Sequence, residues 1–263
     1  MGIPHGGIAF FDSGIGGLTV LAECLKRLPN ELFYYYGDNA RAPYGNLPPE
    51  RIYGYVEESM ELFASLHARA VVLACNTATA VCIETLRKKY AFPIIGAEPA
   101  VLPAVKASDD VLVLSTCATQ SSARFSRLCQ RVKKQFPTVR LTLAPCHDLA
   151  KEIENHVLDS AYSYAPFLPT GNPSAVVLGC THYVYAKEQI QKHYNCPVFD
   201  GNEGIANRLV ERLFSPENTF AEQNIRDERP LVTTARPPKI YFLGGEKSRN
   251  LRVFEHMFAK YSK

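Results

Sequence analysis

The sequence predicts an α/β fold made of two pseudo-symmetric, doubly wound parallel-sheet domains that face a central cleft. Three observations carry this prediction. Short apolar runs alternate with amphipathic stretches along the whole chain, one six-residue pattern occurs twice, and both copies have the same landmarks in the same order around them. Strands that alternate with helices are typical of parallel sheets covered on both faces.

Nine short runs are apolar at consecutive positions and rich in β-branched residues, as strands buried on both faces are. The predicted strands are Ile8–Phe11, Glu31–Tyr36, Ala70–Ala74, Pro93–Gly96, Val111–Ser115, Arg140–Ala144, Ala175–Gly179, Pro197–Phe199 and Lys239–Leu243. Amphipathic stretches between them predict helices over Leu18–Arg27, Pro49–Leu66, Ala78–Tyr90, Ser121–Phe136, Ala186–His193 and Gly204–Phe214. The polar stretch Ser215–Pro238 predicts a surface loop, after which one strand and a last helix follow.

The internal repeat predicts the division into domains. The segment Ala70–Cys75 (AVVLAC) recurs as Ala175–Cys180 (AVVLGC). Each copy comes after an earlier apolar strand that runs into a serine, and each is followed by a helix and then by a short strand at Pro93 or Pro197. We therefore expect a first domain of residues 1–97 plus 208–263 and a second of residues 98–207.

Composition excludes several classes of protein. The 263 residues are 46% hydrophobic and 21% charged, with a net charge of +3 and scattered Lys and Arg, so we expect neither nucleic acid nor a membrane as partner. The first residues do not resemble a signal peptide, and no apolar run approaches the roughly 20 residues of a membrane span, which predicts a cytoplasmic protein. The eight cysteines include no CxxC pair, so neither a metal site nor a disulfide framework is expected.

Cys75 and Cys180 are the candidate catalytic residues. Each directly follows an apolar strand and precedes a predicted helix, whose N-terminus should lower a thiol pKa from about 8.5 toward neutrality. Packing at a strand end would explain either cysteine alone, but a duplicated pair across a cleft suits a reaction that is itself nearly symmetric. Racemisation is such a reaction, because one thiolate removes the Cα proton and the opposite thiol delivers a proton to the other face.

Other polar residues also follow predicted strand ends, where parallel sheets bind ligands. Asp12 and His182 are candidate assistants to the thiols, although a turn or helix-capping role explains each as well. The run Asp12–Gly17 lacks the GxGxxG spacing of a dinucleotide loop and predicts a tight turn that presents backbone N–H groups to a small anion. Tyr44 and Gly45 either cover the cleft or form an ordinary turn.

Five segments resemble the glutamate racemase family: Phe11–Val20, Asp38 with Pro43–Gly45, Ala74–Ala78, Gly96–Ala100 and Gly179–Tyr183. The resemblance implies a pyridoxal-free racemase without a cofactor that interconverts L- and D-glutamate and supplies D-glutamate for peptidoglycan. It implies Cys75 and Cys180 as the acid/base pair, assisted by Asp12 and His182, and places Glu98 in a support role near the second thiol. The substrate contacts that it implies are Asp12, Ser13, Tyr44, Gly45, Asn76, Thr77, Thr119, Thr181 and His182.

Three segments depart from the family pattern, namely Val184–Tyr185, Asp200–Asn202 and Phe242–Gly245. They leave dimer geometry and regulation open, and a homodimer is one of the alternatives. Two other functions also stay open. A racemase of aspartate or another acidic substrate would be favoured by an Arg or Lys in the cleft, and a catalytically inactive binding or regulatory protein would be favoured by loss of either cysteine.

Overall fold

A computed structural model describes residues 3–215, 239–244 and 246–261, which form two parallel sheets. The first sheet contains β1 (Ile8–Asp12), β2 (Leu32–Gly37), β3 (Ala70–Leu73), β4 (Ile94–Gly96) and β9 (Lys239–Leu243). The second contains β5 (Asp110–Ser115), β6 (Arg140–Pro145), β7 (Ala175–Gly179) and β8 (Val198–Phe199). All nine predicted strands are present, with ends shifted by one residue at most. The loop predicted over Ser215–Pro238 lies, beyond Ser215, outside the described residues.

The two sheets have the same strand order. The first runs β4-β3-β1-β2-β9 and the second β8-β7-β5-β6, and every pairing is parallel. Strands β3 and β7, which Cys75 and Cys180 follow within two residues, therefore occupy equivalent positions beside the central strands β1 and β5. The predicted pair of pseudo-symmetric parallel sheets is confirmed.

Helices cover both sheets, in the order α1 (Gly17–Arg27), α2 (Pro49–Ser65), α3 (Asn76–Lys89), α4 (Val101–Ala107), α5 (Cys117–Gln120), α6 (Ala123–Gln135), α7 (Leu149–His156), α8 (Lys187–Tyr194), α9 (Asn202–Leu213) and α10 (Lys247–Tyr261). The sequence pattern did not predict α4 and α7, which have seven and eight residues and so offer little periodicity. Cys180 is followed by a 3₁₀ segment, Thr181–Ala186, rather than directly by the α-helix.

The C-terminal part of the chain packs on the first sheet. Strand β9 pairs with β2, and Val253 and Met257 of α10 are buried in the same apolar cluster as Phe10 of β1. Helix α9 adds Leu209 to that cluster. The domain boundaries stay a prediction. In the described part of the chain, no helix combines the length and the apolar character that crossing a bilayer requires.

Candidate active site

Cys75 lies at the junction of β3 and α3, where it is the N-cap residue of the helix. Its Sγ accepts a hydrogen bond from the backbone N–H of Ala78 at 3.5 Å and lies 3.5 Å from Ser13 Oγ. Only 5% of the residue is exposed. Ser13, which was predicted to contact the substrate, thus also contacts the Cys75 thiol directly.

Cys180 occupies the equivalent end of β7, and His182 is beside it. The Cys180 Sγ lies 3.9 Å from His182 Nδ1, and the other ring nitrogen, Nε2, lies 2.6 Å from Glu154 Oε2. Burial opposes a charge on the ring, but the hydrogen bonds to Cys180 and Glu154 outweigh it and raise the pKa of His182 well above its usual range. The second thiol therefore has a buried, protonated imidazole as its neighbour.

Asp12 ends β1 and connects the two halves of the site. Its Oδ2 accepts a hydrogen bond from Thr181 Oγ1 at 3.0 Å, and its Oδ1 accepts one from the backbone N–H of Gly14 at 3.0 Å. Burial raises the pKa of Asp12, against the opposing charge of His182 and these two hydrogen bonds. The side chain that was predicted to assist Cys75 is thus also bonded to the residue after Cys180.

The glycine turn after β1 allows the second half to approach closely. A Cβ atom on Gly16 would lie 2.3 Å from Thr181 Oγ1 and 2.8 Å from the His182 backbone nitrogen, and one on Gly14 would lie 2.4 Å from Glu154 Oε2. The Ile15 N–H donates to the same Glu154 carboxylate at 3.2 Å. The turn therefore does present a backbone N–H group to an anion, and that anion is a side chain of this chain.

A cluster of threonines joins the two halves on the side of Cys75. Thr77 Oγ1 lies 2.9 Å from Thr116 Oγ1, which lies 3.0 Å from Thr119 Oγ1. All three side chains are buried. The predicted contact residues Thr77 and Thr119 therefore come from opposite halves and meet both through Thr116 and directly, with 3.4 Å between their Oγ1 atoms.

Tyr44 and Gly45 lie over this cluster. The Tyr44 hydroxyl donates to Asp38 Oδ2 at 2.5 Å, and a Cβ atom on Gly45 would lie 3.0 Å from the Thr116 side chain. Tyr44 is 1% exposed. This packing favours the interpretation that Tyr44 and Gly45 cover the cleft over the interpretation that they form an ordinary turn.

A narrow cavity reaches Cys180 between the two halves. It is lined by Cys180, Thr181, Asn76 and Glu98, among others, and the Asn76 Oδ1 atom is buried without a hydrogen-bond partner. Glu98 lines the cavity, but its carboxylate is paired with Arg124 and Arg131 of α6, at 3.3 and 3.1 Å. An amide oriented into such a cavity can bind a polar ligand.

The expected lowering of the thiol pKa is wrong for Cys75. Burial raises the pKa of Cys75 to about 12, and the charges of Asp12 and Cys180 act in the same direction. The hydrogen bonds from Ala78 and Ser13 oppose this without reversing it.

Sequence reasoning missed Glu154. Besides His182 and Ile15, its carboxylate accepts a hydrogen bond from Asn39 Nδ2 at 2.7 Å. Arg249 of α10 donates to the Glu154 backbone carbonyl and lies 3.9 Å from Glu154 Oε1. Burial raises the pKa of Glu154, but its hydrogen bonds, that from His182 first, outweigh burial and leave it below the usual range. No motif in the short helix α7 indicates this residue.

The polar groups of this region determine what chemistry the site can perform. Among the described residues, no group of three or more His, Cys, Asp and Glu side chains is placed to hold a metal ion. The polar groups at the meeting strand ends are two thiols, an imidazole, carboxylates, hydroxyls and one amide. Such a set can accept and donate protons and can bind carboxylate and ammonium groups.

Two parallel sheets of the same strand order, with a buried cysteine after the equivalent strands β3 and β7, define the class of two-thiol racemases. Residues 21–209 match the family model described as Asp/Glu/Hydantoin racemase. The chain is 37% identical over 234 residues to the glutamate racemase of Clostridium botulinum, an alignment that covers 85% of this chain and 90% of the relative. The chain thus belongs to the Asp/Glu/hydantoin racemase family.

Solved structures agree with this assignment. A glutamate racemase of Francisella tularensis, solved in complex with D-glutamate, has a TM-score of 0.74 and 27% identity, with 98% of this chain and 95% of that chain covered. Glutamate racemase isoform RacE1 of Bacillus anthracis has a TM-score of 0.73 and 27% identity, with 98% and 94% covered. The fold prediction is therefore confirmed by experimental structures as well.

Proposed function

We propose that this chain interconverts L- and D-glutamate by proton transfer at Cα between two thiols, Cys75 and Cys180, without pyridoxal phosphate. The observation that carries the proposal is the equivalent placement of these buried thiols after β3 and β7, in two halves that meet through the Thr181–Asp12 and Thr77–Thr116 contacts. The glutamate racemase relatives support glutamate as the substrate.

The reaction uses the thiols as alternate base and acid. One thiolate takes the Cα proton from one face of the amino acid, and the opposite thiol gives its proton to the other face, so the product leaves with inverted configuration and the two thiols have exchanged protonation states. The reverse reaction uses the same groups in the opposite roles. After each turnover, the cysteine that began as the thiolate is therefore protonated, and the cysteine that began as the thiol is ionised.

The substrate itself favours the ionised thiol. Burial holds the pKa of Cys75 at about 12, which makes the thiolate costly in this pocket. The α-ammonium group of a bound amino acid brings a positive charge close to both sulfur atoms, and a nearby cation stabilises a thiolate. On the other side, the imidazolium of His182, 3.9 Å from Cys180, can donate a proton to Cys180 when that sulfur is a thiolate.

We assign the substrate's carboxylates to uncharged donors. Ser13, Asn76, Thr77, Thr119 and Thr181 offer hydroxyl and amide groups, and the buried Asn76 Oδ1 can accept from the α-ammonium group. Tyr44 and Gly45 cover the cleft. Among the described residues that line the cavity at Cys180, none is an Arg or Lys, so in this proposal uncharged donors bind the carboxylates there.

The wider setting is part of the proposal. D-Glutamate made in this way would serve peptidoglycan synthesis, and all eight cysteines are free thiols, as expected in a reducing cytoplasm. Assembly into a homodimer stays a prediction.

The test is hydrogen exchange in D₂O. The protein, without added pyridoxal phosphate, is incubated with L- or D-glutamate, and both loss of the Cα proton and appearance of the other enantiomer are followed by NMR and chiral chromatography. We expect each enantiomer to gain one deuterium as it inverts. Faster exchange of aspartate would transfer the proposal to that substrate, and no exchange with either acid would favour an inactive binding protein.

A further inference from the structure

A second cysteine–histidine contact lies outside the site described above. Cys117 Sγ is 3.4 Å from His147 Nδ1 and 3.8 Å from His147 Nε2. Cys117 is partly exposed and His147 is exposed, whereas the thiols Cys75 and Cys180 are buried. The proposed racemase reaction uses neither residue.

Sheet register brings this pair together. Strands β5 and β6 are paired with Ser115 opposite Pro145, and the Cys146 N–H continues the ladder by donating to the Ser115 carbonyl at 2.9 Å. Cys117 and His147 are each two residues beyond that last strand pair, so the same register places their side chains opposite each other. Because β6 is an edge strand of its sheet, solvent reaches both groups.

The other partly exposed thiols have no such neighbour. Cys129 lies on α6 and Cys196 precedes β8, and burial raises the pKa of both. Within the part of the chain that the structure describes, no imidazole lies within hydrogen-bond distance of either sulfur. Since the thiolate is the nucleophilic form, a thiol that is both accessible and beside a proton acceptor should react first.

We propose that Cys117 and His147 form a reactive thiol–imidazole pair at which low-molecular-weight disulfides form a mixed disulfide with the protein. The Cys117 thiol gives its proton to His147, and the thiolate attacks one sulfur of the disulfide. A new S–S bond to Cys117 forms as the original S–S bond breaks. The leaving thiolate takes the proton from His147 and departs as a thiol. The protein thiol is oxidised and half of the disulfide is reduced, so no further oxidant is needed.

The probe for this site is the aromatic disulfide DTNB, whose release of thionitrobenzoate is followed by absorbance at neutral pH. We expect one thiol to react before all others, and peptide mapping after a short exposure should locate it at Cys117. Cys117→Ser should remove this fast phase, whereas Cys129→Ser and Cys196→Ser should retain it. Labelling of Cys129 or Cys196 before Cys117 would overturn the proposal.

The role of the imidazole is tested by His147→Gln. This substitution of an exposed side chain should slow labelling of Cys117 on the order of tenfold at pH 7. The difference should shrink above the ordinary thiol pKa of about 8.5, where thiols ionise unaided. Labelling of Cys129 in the same sample reports whether the fold is unchanged. An equal Cys117 rate with and without the imidazole, while Cys129 also reacts as before, would show that accessibility alone sets the reactivity.

Discussion

Glu154 and His182 form a buried ion pair, with 2.6 Å between Oε2 and Nε2. The carboxylate also accepts hydrogen bonds from Ile15 and Asn39 of the first half, so it fixes the imidazole beside Cys180 and ties it to the turn that carries Asp12. His182 is 2% and Glu154 8% exposed at their side chains, so water screens this pair little. Glu154 is therefore a positioning residue for His182.

Removing the Glu154 charge should lower both the activity and the pKa of His182. We expect Glu154→Gln to lower kcat by about 100-fold, because His182 loses the partner that orients it and stabilises its protonated form. NMR titration of the His182 ring should show the lowered pKa. Glu152→Gln is the matched control, since Glu152 lies two positions before Glu154 on the same helix and accepts a hydrogen bond from Tyr162, away from the site. Equal loss of kcat in both variants would mean that disruption of α7 is the cause.

The ion pair between Glu154 and His182 should make the unfolding free energy depend on pH. The pKa of His182 is higher in the folded protein than in the unfolded chain. Its contribution to the unfolding free energy is therefore complete below the unfolded pKa of 6.5 and is lost as the pH rises through the folded pKa. The pKa of Glu154 is lower in the folded protein than in the unfolded chain. Its contribution to the unfolding free energy is therefore complete above the unfolded pKa of 4.5 and is lost as the pH falls through the folded pKa. We expect Glu154→Gln to cost about 3 kcal/mol of unfolding free energy near pH 6. Urea titrations should show a smaller cost at high pH, and a cost that does not change with pH would contradict the ion pair.

Both thiols should be essential for racemisation. Cys75→Ala and Cys180→Ala should each lower kcat by about 100- to 10,000-fold and leave the circular dichroism spectrum unchanged, since each removes one acid/base group. Cys24→Ala is the control, because Cys24 is buried in the core of the first sheet, away from the cleft. Full activity in either cleft variant would remove that cysteine from the mechanism.

The glycine turn should tolerate no side chain at Gly16. A Cβ atom there would lie 2.3 Å from Thr181 Oγ1, so Gly16→Ala must displace the second half of the site from the first. A misplacement of about 1 Å can cost about 100-fold in rate, and we expect a loss of that order in kcat. Gly54→Ala in α2, where no atom lies within 4 Å of the new Cβ, should instead stabilise the protein by about 0.5–1 kcal/mol at unchanged activity. Activity retained by Gly16→Ala would show that the two halves need not meet this closely.

The sequence predicted what depends on local pattern. The strands ending at Cys75 and Cys180 are visible as apolar runs, and their repeat identifies the equivalent thiols without any structure. Glu154 could not be found in this way, because its contact with Ile15 spans 139 residues and depends on how the two sheets meet. Helix α7, which carries it, is also too short for its periodicity to be distinctive.

The wrong expectation for the thiol pKa has a related cause. A helix N-terminus can be predicted from the sequence at Cys75, and Ala78 does donate to its Sγ. Burial and the nearby charge of Asp12 depend on the assembled site, and together they outweigh that hydrogen bond. Local sequence thus predicted the favourable interaction but not the larger unfavourable ones.

Asp12 and His182 should affect the two directions of the reaction unequally. A carboxylate raises the pKa of Cys75, whereas an imidazolium lies beside Cys180, so Asp12→Asn and His182→Asn each disturb one thiol more than the other. The equilibrium constant between enantiomers is fixed at one in achiral water, so kcat/KM must remain equal for both, and the asymmetry must appear in kcat and KM separately. Asn76→Ala, which removes only a proposed substrate contact, should lower both kcat values alike.

Thr181→Ala tests whether Thr181 acts by binding the substrate or through its hydrogen bond to Asp12. From the sequence alone Thr181 is expected to behave like Asn76, but its hydroxyl donates to Asp12 Oδ2 at 3.0 Å. Loss of that hydrogen bond removes one of the interactions that lower the pKa of Asp12, so Thr181→Ala should reproduce the direction of the asymmetry seen in Asp12→Asn. Initial rates from D- and L-glutamate, measured over a range of concentrations for all four variants and the parent, give the required kcat and KM values. If Asp12→Asn and His182→Asn lower kcat by the same factor in both directions, these residues bind substrate or support the fold, and they do not assist proton transfer at a particular thiol.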